Sequence, residues 1–246
     1  VFDPKGGERI AILIDLKDLS LMKDFAFLNR PELTIQRHAF EDFHQTLKNG
    51  LMHELGLRGG EMFAYEETGG SNLDLPDRAV DSDGNDVSLA TDIYPHYDLI
   101  LCISTFSATA PLTAFAKQYG FRGATLHGLN ETILRSGLAV DYNEVSRKAE
   151  KMRLGMTRAD WAEIDYVLDG NTYTLHLDLG QQDAQKSHGL CRDKPDIANL
   201  PAGEIYYVPT GAEGDFPICY EDGTIALMEV SYGLVRKVRF VRGNQA

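Results

Sequence analysis

The chain has 246 residues, of which 43% are hydrophobic and 25% are charged, the balance of a globular protein that buries one or two cores. Thirty-seven acidic residues against 24 basic ones give a formal net charge of -13, which disfavours binding to nucleic acid or to an anionic membrane. No apolar run approaches the roughly 20 residues that cross a bilayer, and the first residues lack a signal-peptide pattern. Three widely spaced cysteines are typical of a reducing compartment, so we expect a cytoplasmic protein.

The first half of the chain alternates between strand patterns and helix patterns. Residues 9–15 (RIAILID) form a short aliphatic run, which is typical of a central strand covered on both faces. Apolar residues then recur at helical spacing between Phe40 and Leu55, and Gly56 provides a stop signal. Further segments follow in chain order: a strand over 61–65, a Gly/Asp/Asn-rich loop through 85, a strand over 99–104, a helix over 111–119 and a strand over 122–126. This alternation predicts a mostly parallel sheet.

The second half is predicted to be β-rich. A helix from Tyr142 to about Leu154 precedes two strand patterns, 161–168 and 172–179, which Asp169 and Gly170 join in a strong hairpin signal. Further strands are predicted over 203–208, 224–230 and 234–241. The sequence therefore predicts an α/β fold with two domains: an α/β domain over residues 1–140, and a helix with a β-rich domain over 141–246, which we expect to be incomplete.

Hydroxyl and basic side chains follow two of the predicted strands. Ser107 and Thr109 come directly after the strand that ends near residue 104, where open α/β sheets place ligand contacts. Capping of the next helix explains the same two hydroxyls equally well. Arg122 and His127 flank the following strand and are candidates for the same substrate-binding crevice, or else belong to surface turns.

Several catalytic motifs are missing from the sequence. It contains no glycine-rich phosphate loop, no GxSxG and no HExxH. His176 and Asp178 lie two residues apart on a predicted strand, so both side chains point to one face, as two metal ligands would. Polar residues at this spacing more often form the solvent-exposed face of a half-buried strand.

The segment Asn199 to Pro209 (NLPAGEIYYVP) resembles the Asn-Leu-Pro-x-x-Glu-Val-aromatic-x-x-Pro motif of the aminopeptidase T family of metallopeptidases. Relatives of that family include 2,5-dihydroxypyridine 5,6-dioxygenases. The segments FSATAP, FRGATLHG and LAVDYNEVSRKAEKM agree with the family in their order. The resemblance implies an N-terminal α/β domain, a second domain and a homodimer.

The resemblance also implies a role for Glu204, which matches the family's first metal-ligand glutamate. The family's other ligands belong to sequence beyond Ala246, and the pair formed by His176 and Asp178 does not occupy the position of the family's own His-x-Asp pair. We therefore expect zinc, cobalt or iron only in a complete enzyme, and no metal in this stretch alone, since one carboxylate is not a site.

Three functions remain open at this point. The first is a metal-dependent aminopeptidase-like hydrolase, in which Glu204 helps to hold a cation that activates water. The second is a non-haem iron ring-cleaving dioxygenase with the same fold. The third is a non-catalytic protein that binds a peptide through a cleft or an unpaired sheet edge. The expected partner is accordingly a peptide or a small molecule.

Overall fold

The computed structural model describes residues 1–243 and divides the chain into two compact units. The first unit comprises 1–147 and 187–203, and the second comprises 148–186 and the chain from Glu204 onward. The chain therefore enters the second unit, returns to the first for 17 residues and leaves it again after Gly203. No helix in the described part of the chain has the length and apolar character needed to cross a bilayer.

The first unit is built on a seven-stranded sheet with the strand order β10-β6-β5-β1-β2-β3-β4. Its five strands from β10 to β2 run parallel, and β3 and β4 add an antiparallel edge. This confirms the predicted mostly parallel sheet. The bounds are β1 Arg9–Leu16, β2 Arg58–Glu66, β3 Arg78–Val80, β4 Asp86–Ser88, β5 Leu99–Ile103, β6 Arg122–Thr125 and β10 Asp196–Asn199.

Strand β1 is continuously aliphatic because both faces of the sheet are covered. Ile10, Ile12 and Ile14 pack into one apolar cluster, whereas Ala11 and Leu13 pack into a second cluster. Successive side chains of a strand point to opposite faces, so a strand between two cores needs an apolar residue at every position. The same reason explains the fully buried strand β5.

The crossover between β1 and β2 runs from Thr34 to Leu55 as two helical stretches, separated by non-helical backbone at Asn49 and Gly50, and it is not uniformly α-helical. Regular turns, α1 Thr34–His38 and α2 Met52–Leu55, flank wider π-type turns over Ala39–His44 and Leu47–Leu51. Gly56 ends the stretch with a φ of 65°, as its position after the last apolar residue predicted. The remaining helices are α3 Thr109–Tyr119, α4 Glu131–Arg135 and α5 Tyr142–Met156, with short helical turns over Leu19–Asn29 and Leu89–Ile93.

The second unit contains a five-stranded antiparallel sheet with the order β14-β13-β12-β8-β7. The predicted hairpin is present, and Asp169 and Gly170 both have positive φ, at 50° and 79°, as a two-residue turn of type I′ requires. The bounds are β7 Trp161–Leu168, β8 Asn171–Asp178, β12 Gly211–Cys219, β13 Ile225–Ser231 and β14 Leu234–Arg242, and β9 Gln185–Ser187 pairs separately with β11 Glu204–Tyr206.

Several strands lie outside the segments for which the sequence predicts strands. The stretch around residues 185–199 forms β9 and β10, the segment 211–219 forms β12, and the loop before Asn85 contains β3. In β12, a Cβ atom on Gly214 would lie 2.1 Å from the carbonyl oxygen of Thr174. Its glycine therefore permits close approach of β8, although glycine in a sequence more often signals a turn.

Candidate functional site at the carboxyl edge of the parallel sheet

The strand order of the first unit reverses between β1 and β5. From β1 the chain proceeds to its neighbour β2 on one side, whereas from β5 it proceeds to β6 on the other side. In open α/β sheets, the connections on the two sides diverge at such a point and leave a crevice outside the carboxyl ends of the two strands. The residues that end β1 and β5 therefore lie where this fold most often binds a ligand.

Asp15, the penultimate residue of β1, is the polar centre of this crevice. Its side chain is buried, with 1% of the residue exposed. The carboxylate accepts hydrogen bonds from the backbone N–H of Thr105 at 2.8–2.9 Å and from the Thr105 hydroxyl at 3.1 Å. The side-chain amide of Gln36, which follows β1 in the helical crossover, donates a further bond at 2.8 Å. These contacts join the ends of both strands.

Burial governs the ionisation of Asp15. Removal from water raises the pKa of the Asp15 carboxyl above its ordinary value of 3.8, and the hydrogen bonds from Thr105 and Gln36 offset only part of this effect. A carboxyl whose pKa is raised within a crevice is typical of binding and catalytic sites.

A cleft of about 410 Å³ opens beside Asp15. Small-molecule sites generally have volumes of roughly 300–1,000 Å³. Its wall carries four acidic residues and two basic ones, together with apolar side chains; the charged residues are Asp15, Asp18, Glu32, Glu67, Lys17 and Arg30. The lining thus has an excess of negative charge, which favours a ligand that carries a positive group.

The candidates Ser107 and Thr109 belong to a hydroxyl network at the same edge of the sheet. The Ser107 and Thr109 hydroxyls lie 3.0 Å apart, and the Thr109 hydroxyl lies 2.7 Å from the hydroxyl of Thr125, the last residue of β6. Thr125 in turn donates to the side-chain oxygen of Asn199, the last residue of β10, at 3.4 Å. The network connects the carboxyl ends of β6 and β10. The Ser107 hydroxyl also accepts a hydrogen bond at 3.4 Å from the backbone N–H of Thr109, the first residue of α3, although the N-cap position itself is occupied by Ala108.

The structure separates the other two predicted crevice residues. His127 follows β6 at the carboxyl edge and is exposed. Arg122 begins β6, so it lies at the opposite, amino edge, because all five parallel strands run in one direction. Its guanidinium is buried and donates to the carbonyl oxygens of Phe2 and Cys191 at 2.9 Å and to Glu8 at 2.7 Å. Arg122 is therefore not brought together with Ser107 and Thr109, nor is it in a surface turn.

The predicted metal-ligand candidates lie in the second unit. His176 and Asp178 share one face of β8, beside a cleft of about 370 Å³ that Glu213 and Tyr232 also line. The His176 ring stacks on Trp161, and its Nδ1 lies 3.6 Å from a carboxylate oxygen of Glu163.

Glu204, the residue that the sequence motif singled out, begins β11 and is exposed. Within residues 1–243, no three or more His, Cys, Asp and Glu side chains come together in a way that could hold a metal ion. These residues alone therefore do not fit the metal that the family resemblance implies.

The sequence interpretation did not select Asp15, Gln36 or Thr105. A signal was available for Asp15, because a carboxylate that ends a continuous aliphatic run occupies the carboxyl end of a central strand. Gln36 and Thr105 carried no comparable signal, since their relevance depends on contacts with Asp15 across 21 and 90 residues of sequence.

Comparisons with known proteins give a likeness of fold. No family model matches the chain, and no curated protein matches it. Among solved structures, the chain is similar to the 2,5-dihydroxypyridine dioxygenase of Pseudomonas putida KT2440, with a TM-score of 0.56 and 13% sequence identity over 96% of this chain. The chain spans 63% of that enzyme's length. None of the comparisons supports the aminopeptidase T part of the resemblance; the two-unit α/β fold is shared with a dioxygenase.

Proposed function

We propose that the chain binds a small polar molecule carrying an amine in the cleft beside Asp15. One observation carries this proposal: a buried carboxylate lies near the carboxyl end of the central strand, at the point where the strand order reverses, and a cleft of about 410 Å³ opens beside it. The acidic excess of the lining supports the positive charge of the ligand. The network of hydroxyl donors and acceptors on the same edge of the sheet, Ser107, Thr109 and Thr125, supports a polar ligand.

Two four-carbon probes of opposite charge test the proposal. We expect 1,4-diaminobutane to shift the NMR signal of the Thr105 backbone amide, whose hydrogen is bonded to Asp15, and we expect succinate to leave it unchanged. Glu32→Gln should weaken binding of the diamine at least about threefold, because it removes one exposed carboxylate from the lining.

Glu54→Gln is the matched control, since Glu54 is exposed in the same unit and does not line the cleft. Equal binding of the two probes, or shifts that the Glu54 and Glu32 variants change alike, would overturn the proposal.

A second candidate function is metal-dependent catalysis, either ring cleavage by a non-haem iron dioxygenase or peptide hydrolysis. The fold likeness to a dioxygenase favours the first reaction, and the NLPAGEIYYVP motif favours a ligand role for Glu204 in either one. Further ligands would have to come from outside residues 1–243, because these residues contain no metal-binding group. The substrate, a peptide or a small molecule, and a homodimeric assembly remain predictions under this candidate.

A further inference from the structure

Strand β14 is an edge strand with an unusual composition for this acidic chain. In the described residues it pairs with β13 alone. All nine of its residues, LVRKVRFVR, are exposed, and four of them are basic. The chain as a whole has a formal net charge of -13. Within residues 1–243 this edge presents unpaired backbone N–H and C=O groups, so β14 can accept a further strand.

Two irregularities in the pairing with β13 leave one regular run on β14. The register shifts between Ile225 and Ala226 and again between Glu229 and Val230. Between these shifts, the four residues 237–240 (KVRF) pair one to one with 226–229. Register is well defined only along such an uninterrupted run, so these four residues are the part of the edge that can align an added strand.

The two faces of this run differ in chemistry. Lys237 and Arg239 point to one face, and neither makes an ion pair within the described part of the chain. Val238 and Phe240 point to the other face, where they are 47% and 44% exposed beside the buried residues Ala226 and Met228. The other two basic residues are engaged: Arg236 donates to the Ser231 carbonyl at 3.2 Å, and Arg242 pairs with Asp169 at 2.9 Å.

We infer that residues 237–240 of β14 bind an extended acidic peptide in which acidic and apolar residues alternate. Its acidic side chains would lie beside Lys237 and Arg239, and its apolar side chains would extend the surface of Val238 and Phe240. Charge complementarity selects this partner over a second copy paired edge to edge through β14, which would bring the basic residues of two strands together. Charges on edge strands also protect against aggregation, but exposed Val238 and Phe240 work against such protection.

A labelled peptide of alternating glutamate and valine, with a proline at each end, is the probe. We expect it to bind the full chain in a fluorescence anisotropy titration, more weakly as salt is added. A peptide with lysine in place of glutamate should not bind. The double variant Lys237→Glu with Arg239→Glu should weaken binding of the glutamate peptide at least about tenfold and should bind the lysine peptide instead.

The double variant Lys117→Glu with Arg135→Glu is the control, because it makes the same change in charge at exposed positions of the first unit. Circular dichroism verifies that all variants fold. Absence of binding by the wild-type chain, or equal effects of the two double variants, would overturn the inference. Concentration-dependent association that the Lys237 and Arg239 changes abolish, without competition by the peptide, would identify a second copy as the occupant and would also overturn it.

Discussion

Asp15 illustrates how one residue can serve the fold and a site in opposing ways. Its hydrogen bonds to Thr105 and Gln36 join β1, β5 and the helical crossover, which stabilises their arrangement. Its burial disfavours the charged form and raises the pKa of the carboxyl. The carboxylate therefore lowers the stability of the fold at pH values where it is ionised, a cost that a neutral amide at this position would not carry.

The raised pKa of Asp15 predicts how stability depends on pH. Because the folded-state pKa lies above the unfolded value, the native state binds more protons between the two values, and the free energy of unfolding falls as the pH rises through this window. The stability of the wild type relative to Asp15→Asn should therefore decrease from about pH 4 upward and level off above the folded-state pKa; each unit of pKa difference corresponds to about 1.4 kcal/mol. Urea denaturation at several pH values measures it.

Asp74→Asn provides the reference for this measurement, since Asp74 is exposed. A difference between the wild type and Asp15→Asn that stays constant across the pH range would contradict the prediction.

The ion pair between Arg122 and Glu8 gives a second prediction at the scale of a residue. Arg122→Met should lower the free energy of unfolding by about 3–5 kcal/mol, because it leaves the Glu8 carboxylate and two carbonyl oxygens without their buried donor. Arg135→Met removes an exposed pair with Glu131 and should cost less than about 1 kcal/mol. Chemical denaturation compares the two variants. Similar costs would show that burial does not decide the effect.

At the scale of elements, the features that the sequence predicts correctly are those that a few neighbouring residues determine. The Asp169-Gly170 turn, the stop at Gly56 and the aliphatic strands β1 and β5 all follow from propensity and pattern within a few residues. Strand β10 could not be predicted in this way, since its four residues become a strand only by pairing with β6, more than 70 residues earlier. Likewise, the sequence indicated that the hydroxyls of Ser107 and Thr109 follow β5, but it did not indicate that the network reaches Asn199 through Thr125.

Close packing of β6 against β5 gives a prediction for this element. A Cβ atom on Gly123 would lie 2.0 Å from the carbonyl oxygen of Ile100, and backbone cannot move aside as the end of a side chain can. Gly123→Ala should therefore lower the free energy of unfolding by about 3 kcal/mol or more. Gly6→Ala, at a site where nothing lies within 4 Å of the added atom, should change it by no more than about 0.5 kcal/mol. Thermal and urea denaturation measure the free energy of unfolding of both variants, and equal changes in the two would contradict the prediction.

At the scale of the whole molecule, the chain passes between the two units more than once, and a reading along the sequence does not predict this. Residues 187–203 return to the first unit and supply β10, so a boundary drawn once along the chain at residue 140 does not describe this path. The NLPAGEIYYVP motif crosses between units: Asn199 ends β10 in the first, and Glu204 begins β11 in the second. A motif read as one functional segment thus contributes to two separately packed bodies.

This division of the motif leads to the last prediction, which concerns metal binding. A catalytic metal site generally uses three protein ligands, and the described residues assemble no such group around Glu204 or elsewhere. Residues 1–246 should therefore retain less than about 0.1 equivalent of zinc, cobalt or iron after dialysis, and Glu204→Gln should not change that content. Elemental analysis measures both proteins.

His176→Ala is the informative companion variant, because His176 and Asp178 share a strand face. A stoichiometric metal that Glu204→Gln removes would establish Glu204 as a ligand and strengthen the metal-dependent candidate, whereas one that only His176→Ala removes would place the metal on β8. Either result would contradict the expectation that this stretch alone lacks a complete ligand set.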